Sequence, residues 1–151
     1  IDTNIVALHI LTKLFLQDMV EENKGKILNV ASIAGFMPGP LMATYYSSKA
    51  YVVRLTQSIR HELFRKKSKV KICALCPGPV ATNFNKVADV KFNLHEADSK
   101  KVAQYAVKKL LRGRTLIFPS FFIWIGRLLA KIVPDQILAF TCFYAQRRKI
   151  Q

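Results

Sequence analysis

The sequence predicts an α/β fold of parallel βαβ units, on three observations. Short apolar runs at 26–31, 70–76 and 115–118 alternate with helical stretches at 3–22, 44–66 and 98–112. Alternation of that kind is the mark of crossover units and a parallel sheet. The chain has 151 residues with 51% hydrophobic content, enough to bury one core. In chain order, the first helix carries the stripe Leu8, Leu11, Phe15 and Met19, while Ile5, Val6, Ile10, Leu14, Leu16 and Val20 fill much of its remaining surface. A helix apolar nearly all round is buried on more than one side. The strand Lys26–Ala31 runs into Ser32-Ile33-Ala34-Gly35, and a loop with Pro38, Gly39 and Pro40 leads to the second helix. That helix bears Val52, Leu55, Ile59 and Leu63 on one stripe. The next strand, Val70 to Leu75, enters Cys76-Pro77-Gly78-Pro79-Val80-Ala81-Thr82. A third helix, a short strand and an apolar tail complete the chain.

Chemistry concentrates around Thr44-Tyr45-Tyr46-Ser47-Ser48-Lys49-Ala50. Positions i and i+4 share a helix face, so the Tyr45 phenol and the Lys49 ammonium project side by side. The ammonium field is expected to favour phenolate and lower the tyrosine pKa from about 10. Such a phenol exchanges protons with a carbonyl or alcohol near neutral pH. Ser32, thirteen residues earlier on a separate loop, supplies a hydroxyl for the oxygen that changes charge. Tyr46 has Ala50 four residues on and points about 100° away around the helix.

Asn4, Ser32 with Ala34-Gly35, the Tyr45/Lys49 pair and the Pro77-Gly78 turn leading to Thr82 stand in an order and spacing that resemble the short-chain dehydrogenase/reductase family. The run Phe36 to Tyr45, with Leu110-Leu111-Arg112-Gly113-Arg114, is similar to a bacterial subgroup of that family with unassigned substrates. The resemblance implies the C-terminal portion of a Rossmann-like doubly wound parallel sheet, three strands with flanking helices, plus an apolar C-terminal lid. Residues 1–114 would form the catalytic half and 115–151 the last strand and the lid or a membrane-associating segment. It implies NAD or NADP as cofactor, with Tyr45 as proton donor or acceptor and Lys49 on the nicotinamide ribose. Ser32 would hold the substrate oxygen, and Asn4 a water joining Lys49 to solvent. Pro77, Gly78, Val80 and Thr82 would line the nicotinamide, Val80 and Thr82 contacting its carboxamide. Family members bind the pyrophosphate at a glycine-rich turn, and the six glycines here are scattered without such a motif. The sequence therefore reads as a fragment of a longer domain, and its first strand is expected to lack an inner neighbour. The resemblance also implies homo-oligomers, dimer or tetramer, through helices 3–22 and 44–66.

The net charge of +15 raises nucleic acid as a partner. The basic residues instead cluster at element ends, as in Arg65-Lys66-Lys67 and Arg147-Arg148-Lys149, where they complement helix dipoles. No aromatics interleave to make a stacking platform, which argues against nucleic acid. Three cysteines fit a reducing cytoplasm. Cys73 and Cys76 sit three apart on a strand, so they should face opposite ways. His9, His61 and His95 lack ligand spacing, so no metal is expected. Between Leu116 and Tyr144, Arg127, Lys131, Pro134 and Asp135 interrupt the apolar run. It falls short of the about 18 to 20 residues that span a bilayer. Two readings of this segment stay open: a lid over a hydrophobic alcohol or carbonyl substrate, or an interfacial segment in peripheral membrane contact. For the whole chain they correspond to an oxidoreductase and to a non-catalytic, membrane-associating remnant.

Overall fold

A computed structural model describes residues 1–83 and 96–150; His95 lies outside the described residues. A π-helical turn, Asp2–Ala7, runs straight into α1 (Leu8–Glu21). Strand β1 (Lys26–Val30), a 3-10 turn (Ile33–Phe36), α2 (Ala43–Arg65) and β2 (Lys71–Leu75) follow. Then come α3 (Ser99–Leu111), β3 (Leu116–Ile117) and two further helices, α4 (Phe121–Ile132) and α5 (Asp135–Ile150). The sheet order is β1-β2-β3, all parallel, with Lys26 opposite Lys71 and Ala74 opposite Leu116. β1 is an edge strand among the described residues, as the sequence led one to expect.

Side-chain alternation divides the core into two layers. Ile72, Ala74 and Cys76 of the β2 run face α1 and α2, packing with Val52, Val53 and Leu63. Cys73 and Leu75 face α3, packing with Val102, Ala106 and Ile117. Cys73 and Cys76 thus lie on opposite faces, as their spacing requires. Both are buried, and burial pushes their thiols from the ordinary 9.0 up to about 11 and about 12.

One polar chain crosses the apolar layer. Thr12 Oγ1 on α1 donates to Asn29 Oδ1 at 3.3 Å, and Asn29 Nδ2 donates to Thr56 Oγ1 on α2 at 3.0 Å. All three residues are buried. Each bond has a fixed partner and an expensive alternative, because a buried unpaired amide costs about 1–3 kcal/mol. The chain therefore sets how both helices sit along β1.

The tail differs from a loose apolar lid: it is a helix pair. Ser120 caps α4, its Oγ accepting from Phe122 N–H at 3.3 Å. Pro134 separates the two helices, since it cannot continue α4. No helix among the described residues is long and apolar enough to cross a membrane.

Candidate active site

The C-terminal ends of β1 and β2 are tied together by loop hydrogen bonds. The Pro77 carbonyl accepts from Ile33 N–H at 2.9 Å and from Ser32 Oγ at 3.4 Å. Ser32 also caps the 3-10 turn, its Oγ accepting from Ala34 N–H at 3.2 Å. Those bonds fix the Ser32 hydroxyl at the strand ends, where open α/β sheets place ligands. The turn then passes very close to α2. A Cβ on Gly35 would stand 2.7 Å from the Lys49 carbonyl oxygen, so only glycine allows the approach. This brings Tyr45 to Ser32, whose hydroxyl is close enough to favour the ionised phenol.

Lys49 lies one turn along α2, its Nζ 5.8 Å from the Tyr45 ring centroid. It donates to the Val30 carbonyl at the end of β1, at 3.1 Å. Asn4 reaches the same helix from the π-helical turn: its Nδ2 donates to Ser48 Oγ at 3.3 Å, and Ser48 Oγ donates to the Tyr45 carbonyl at 2.7 Å. Asn4, Ser32, Tyr45 and Lys49 thus come together, joined by the Pro77–Gly78 turn. Val80 and Thr82 continue that turn, Val80 bridging to Ala97 and Thr82 Oγ1 donating to the Val80 carbonyl at 3.4 Å.

The electrostatics correct one expectation. Burial pushes the Tyr45 phenol above its ordinary value, and the Ser32 hydroxyl pulls it part of the way back. Burial also pulls Lys49 below its ordinary value. The ammonium does not produce the expected net lowering, because Lys49 is turned to a backbone carbonyl while both groups lose solvent. Desolvation penalises phenolate and ammonium alike.

Three residues whose hydrogen bonds hold the elements around the site were not singled out from the sequence. Ser48 had a weak signal, a hydroxyl three residues after Tyr45 on the same helix. Asn29 had a better one, a lone amide in an apolar strand. Gln146 had none: its Nε2 donates to the Tyr46 hydroxyl across 100 residues of chain. Tyr46 is thereby a packing residue against Gly39 and α5, its ring centroid 6.0 Å from that of Tyr45.

The family model described as short chain dehydrogenase matches residues 1–91. The chain belongs to the short-chain dehydrogenase family. Among curated relatives it is 33% identical over 116 residues to the very-long-chain 3-oxoacyl-CoA reductase of Rattus norvegicus, covering 76% of this chain and 36% of that protein. It is 30% identical over 139 residues to estradiol 17-beta-dehydrogenase 11 of Macaca fascicularis, covering 91% of this chain and 46% of the relative. Among solved structures, a short-chain dehydrogenase from Burkholderia cenocepacia in complex with NADP superposes with a TM-score of 0.72 at 21% identity. That match covers 92% of this chain and 55% of the other. One from Burkholderia phymatum in complex with NAD gives 0.72 at 22%, covering 83% and 54%. These similarities show the α/β fold with its three parallel strands. This family member spans between about a third and a half of the length of those two curated relatives. Both are mammalian and both structures bacterial, so these matches do not separate the bacterial subgroup from the rest of the family.

Proposed function

We propose that the chain carries the proton-transfer half of an NAD(P)-dependent oxidoreductase interconverting an alcohol and a carbonyl. The observation that carries this reading is the convergence of the Ser32 hydroxyl and the Tyr45 phenol at the strand ends, with Lys49 on the next turn. The solved relatives described with NADP and NAD support the cofactor class.

The residues fit the nicotinamide end of such a cofactor. Lys49 presents three N–H donors, one of them directed at the Val30 carbonyl, and the rest suit ribose hydroxyls. Pro77, Gly78, Val80 and Thr82 form the wall beside it. When bound, the nicotinamide exchanges hydride with the substrate carbon. Tyr45 gives its proton to the substrate oxygen in reduction and takes it back in oxidation. A phenol raised by burial stays protonated at neutral pH, which suits the reductive direction. Ser32 holds the same oxygen, and its own bond to the Pro77 carbonyl keeps it aimed. Asn4 joins the relay by fixing Ser48 and with it the turn of α2 that bears Tyr45 and Lys49.

The C-terminal pair acts as the lid of this site. α4 packs on the 3-10 turn and over Gly78, where a Cβ would meet Ile123 at 2.9 Å. Its apolar character suits a hydrophobic substrate. Homo-oligomers form through α1 and α2, for which the exposed Ile10, Leu11, Leu14 and Phe15 are the apolar ground. The thiols of Cys73 and Cys76 agree with a reducing, cytoplasmic setting. A remnant without catalysis would have no use for Ser32, Tyr45 and Lys49 gathered at the strand ends, and that placement favours the enzyme reading.

The test uses a polypeptide containing these residues together with a dinucleotide-binding segment. Tyr45→Phe is expected to remove turnover while the far-UV circular dichroism stays unchanged; turnover at the original rate would sink the mechanism. The present chain alone, without a pyrophosphate cradle, is expected to bind NAD or NADP too weakly for calorimetry. Micromolar binding would overturn that part.

A further inference from the structure

The C-terminal helices carry apolar side chains on their outer faces as well as their inner ones. On α4, Phe122, Leu129 and Ile132 point to solvent at 82%, 53% and 80% exposure, as do Ile137, Phe140 and Tyr144 along one stripe of α5. Ile123, Ile125 and Leu128 of α4 and Leu138 and Phe143 of α5 are partly buried, and Arg127 and the buried Gln146 lie among them. The Arg127 guanidinium lies 5.7 Å over both the Phe36 and Phe118 rings. Arg127 Nε and Gln146 Oε1 are buried with no hydrogen-bond partner among the described residues. A contiguous outward apolar surface of this kind marks an interaction site, since water alone does not favour it.

Beside this apolar surface lies a basic cleft of about 440 Å³ between α3, β3 and α4. Lys109, Arg114 and Arg127 line it with Tyr105, Phe121 and Trp124, and no carboxylate does. Trp124 stacks on Phe121 at 5.7 Å at the start of α4, an amphipathic ring at the edge of the apolar patch. The combination of an outward aromatic-aliphatic face and flanking cations matches an anionic lipid surface in both respects. A second copy of this chain, itself at +15, offers the apolar match and opposes the charge.

We propose that α4 and α5 dock the protein on an anionic membrane surface. Phe122, Leu129, Ile132 and Phe140 enter the acyl boundary, and Lys109 and Arg114 meet lipid phosphates. The surface uses none of the atoms assigned to proton transfer, so the loss of either function leaves the other measurable.

The test is co-sedimentation of the full chain with vesicles of phosphatidylcholine alone and of phosphatidylcholine with phosphatidylglycerol. The expected result is binding to the anionic vesicles only, weakening as salt is raised. Lys109→Gln with Arg114→Gln is expected to weaken it about thirtyfold, at about 1 kcal/mol per surface cation. The triple variant Phe122→Ser, Leu129→Ser and Ile132→Ser should abolish it with unchanged circular dichroism. Val20→Ser, an exposed apolar residue near the end of α1 outside the oligomer's apolar ground, should leave it intact, which separates docking from general stickiness. No binding to the anionic vesicles, equal binding to both compositions, or equal loss in the α1 variant overturns the proposal. So does a dimer by light scattering that the triple variant converts to monomer, since the occupant is then a second copy.

Discussion

The strand ends and the C-terminal helix pair treat polar groups in opposite ways. Around Ser32 and Tyr45, hydroxyls and carbonyls at the loop tips are paired with one another, and apolar residues lie behind them in the core. In α4 and α5 large apolar side chains are also exposed, and Arg127 and Gln146 each bury one polar atom with no partner among the described residues. The first region is finished by the chain's own residues. The second leaves apolar surface and two buried polar atoms unmatched among the described residues. A hydrogen-bonded site tolerates few substitutions, whereas an outward apolar face is neutral for folding and decisive for association.

The largest effect that sharpens this contrast is chemical. Ser32→Ala, in the same complete polypeptide used for Tyr45→Phe, should lower turnover by about a hundredfold, near the low end of what a positioned proton-transfer group contributes. It should leave the fold intact, and a change in KM alone would restrict Ser32 to binding. Next, Asn29→Ala strands the buried Thr12 and Thr56 hydroxyls and should cost about 3 kcal/mol in urea unfolding. A loss of only a few tenths would mean that water replaces the amide and that the polar chain does not set the helix positions.

The thiols give a pH signature. Burial holds Cys73 and Cys76 at about 11 and about 12 in the folded state, against 9.0 unfolded. Above pH 9 the unfolded chain releases these protons first, so it binds fewer of them and stability falls as pH rises. Below pH 9 the contribution is fully present. Unfolding free energy should therefore decline from about pH 9 toward pH 12, and Cys73→Ala should flatten the decline. An unchanged slope in that variant would remove the thiol from the account. The smallest effect belongs to the second region: Gln146→Leu should shift stability by less than about 1 kcal/mol, because it removes an unpaired acceptor along with the bond to Tyr46. A loss well above that would make Gln146 as finished a contact as any at the strand ends.

Much of this was legible from residues alone. The strands and first three helices were visible because apolar periodicity switches from continuous to helical where Gly25, Lys67-Ser68 and Gly113 break the chain. Tyr45, Lys49 and Ser32 could be grouped because the phenol and ammonium share a helix and the serine ends a strand. The net pKa direction of Tyr45 was not legible. It depends on where Lys49 turns, and the Val30 carbonyl that attracts it is nineteen residues away. The tail was read as a lid or an interfacial segment and not as two helices, since an apolar run with scattered charges has no clear period. Gln146 and Tyr46 meet through tertiary packing that no local pattern encodes.

The polar chain from Thr12 through Asn29 to Thr56 has a consequence for how such a protein can change. It fixes the angular settings of α1 and α2 from β1, about two helical turns from Asn4 and about three from Tyr45. Alignment is therefore the property of one set of residues and reactivity of another. A lineage can rewrite the groups at the strand ends, acquiring or losing a reaction, while the frame that aims them is inherited unchanged.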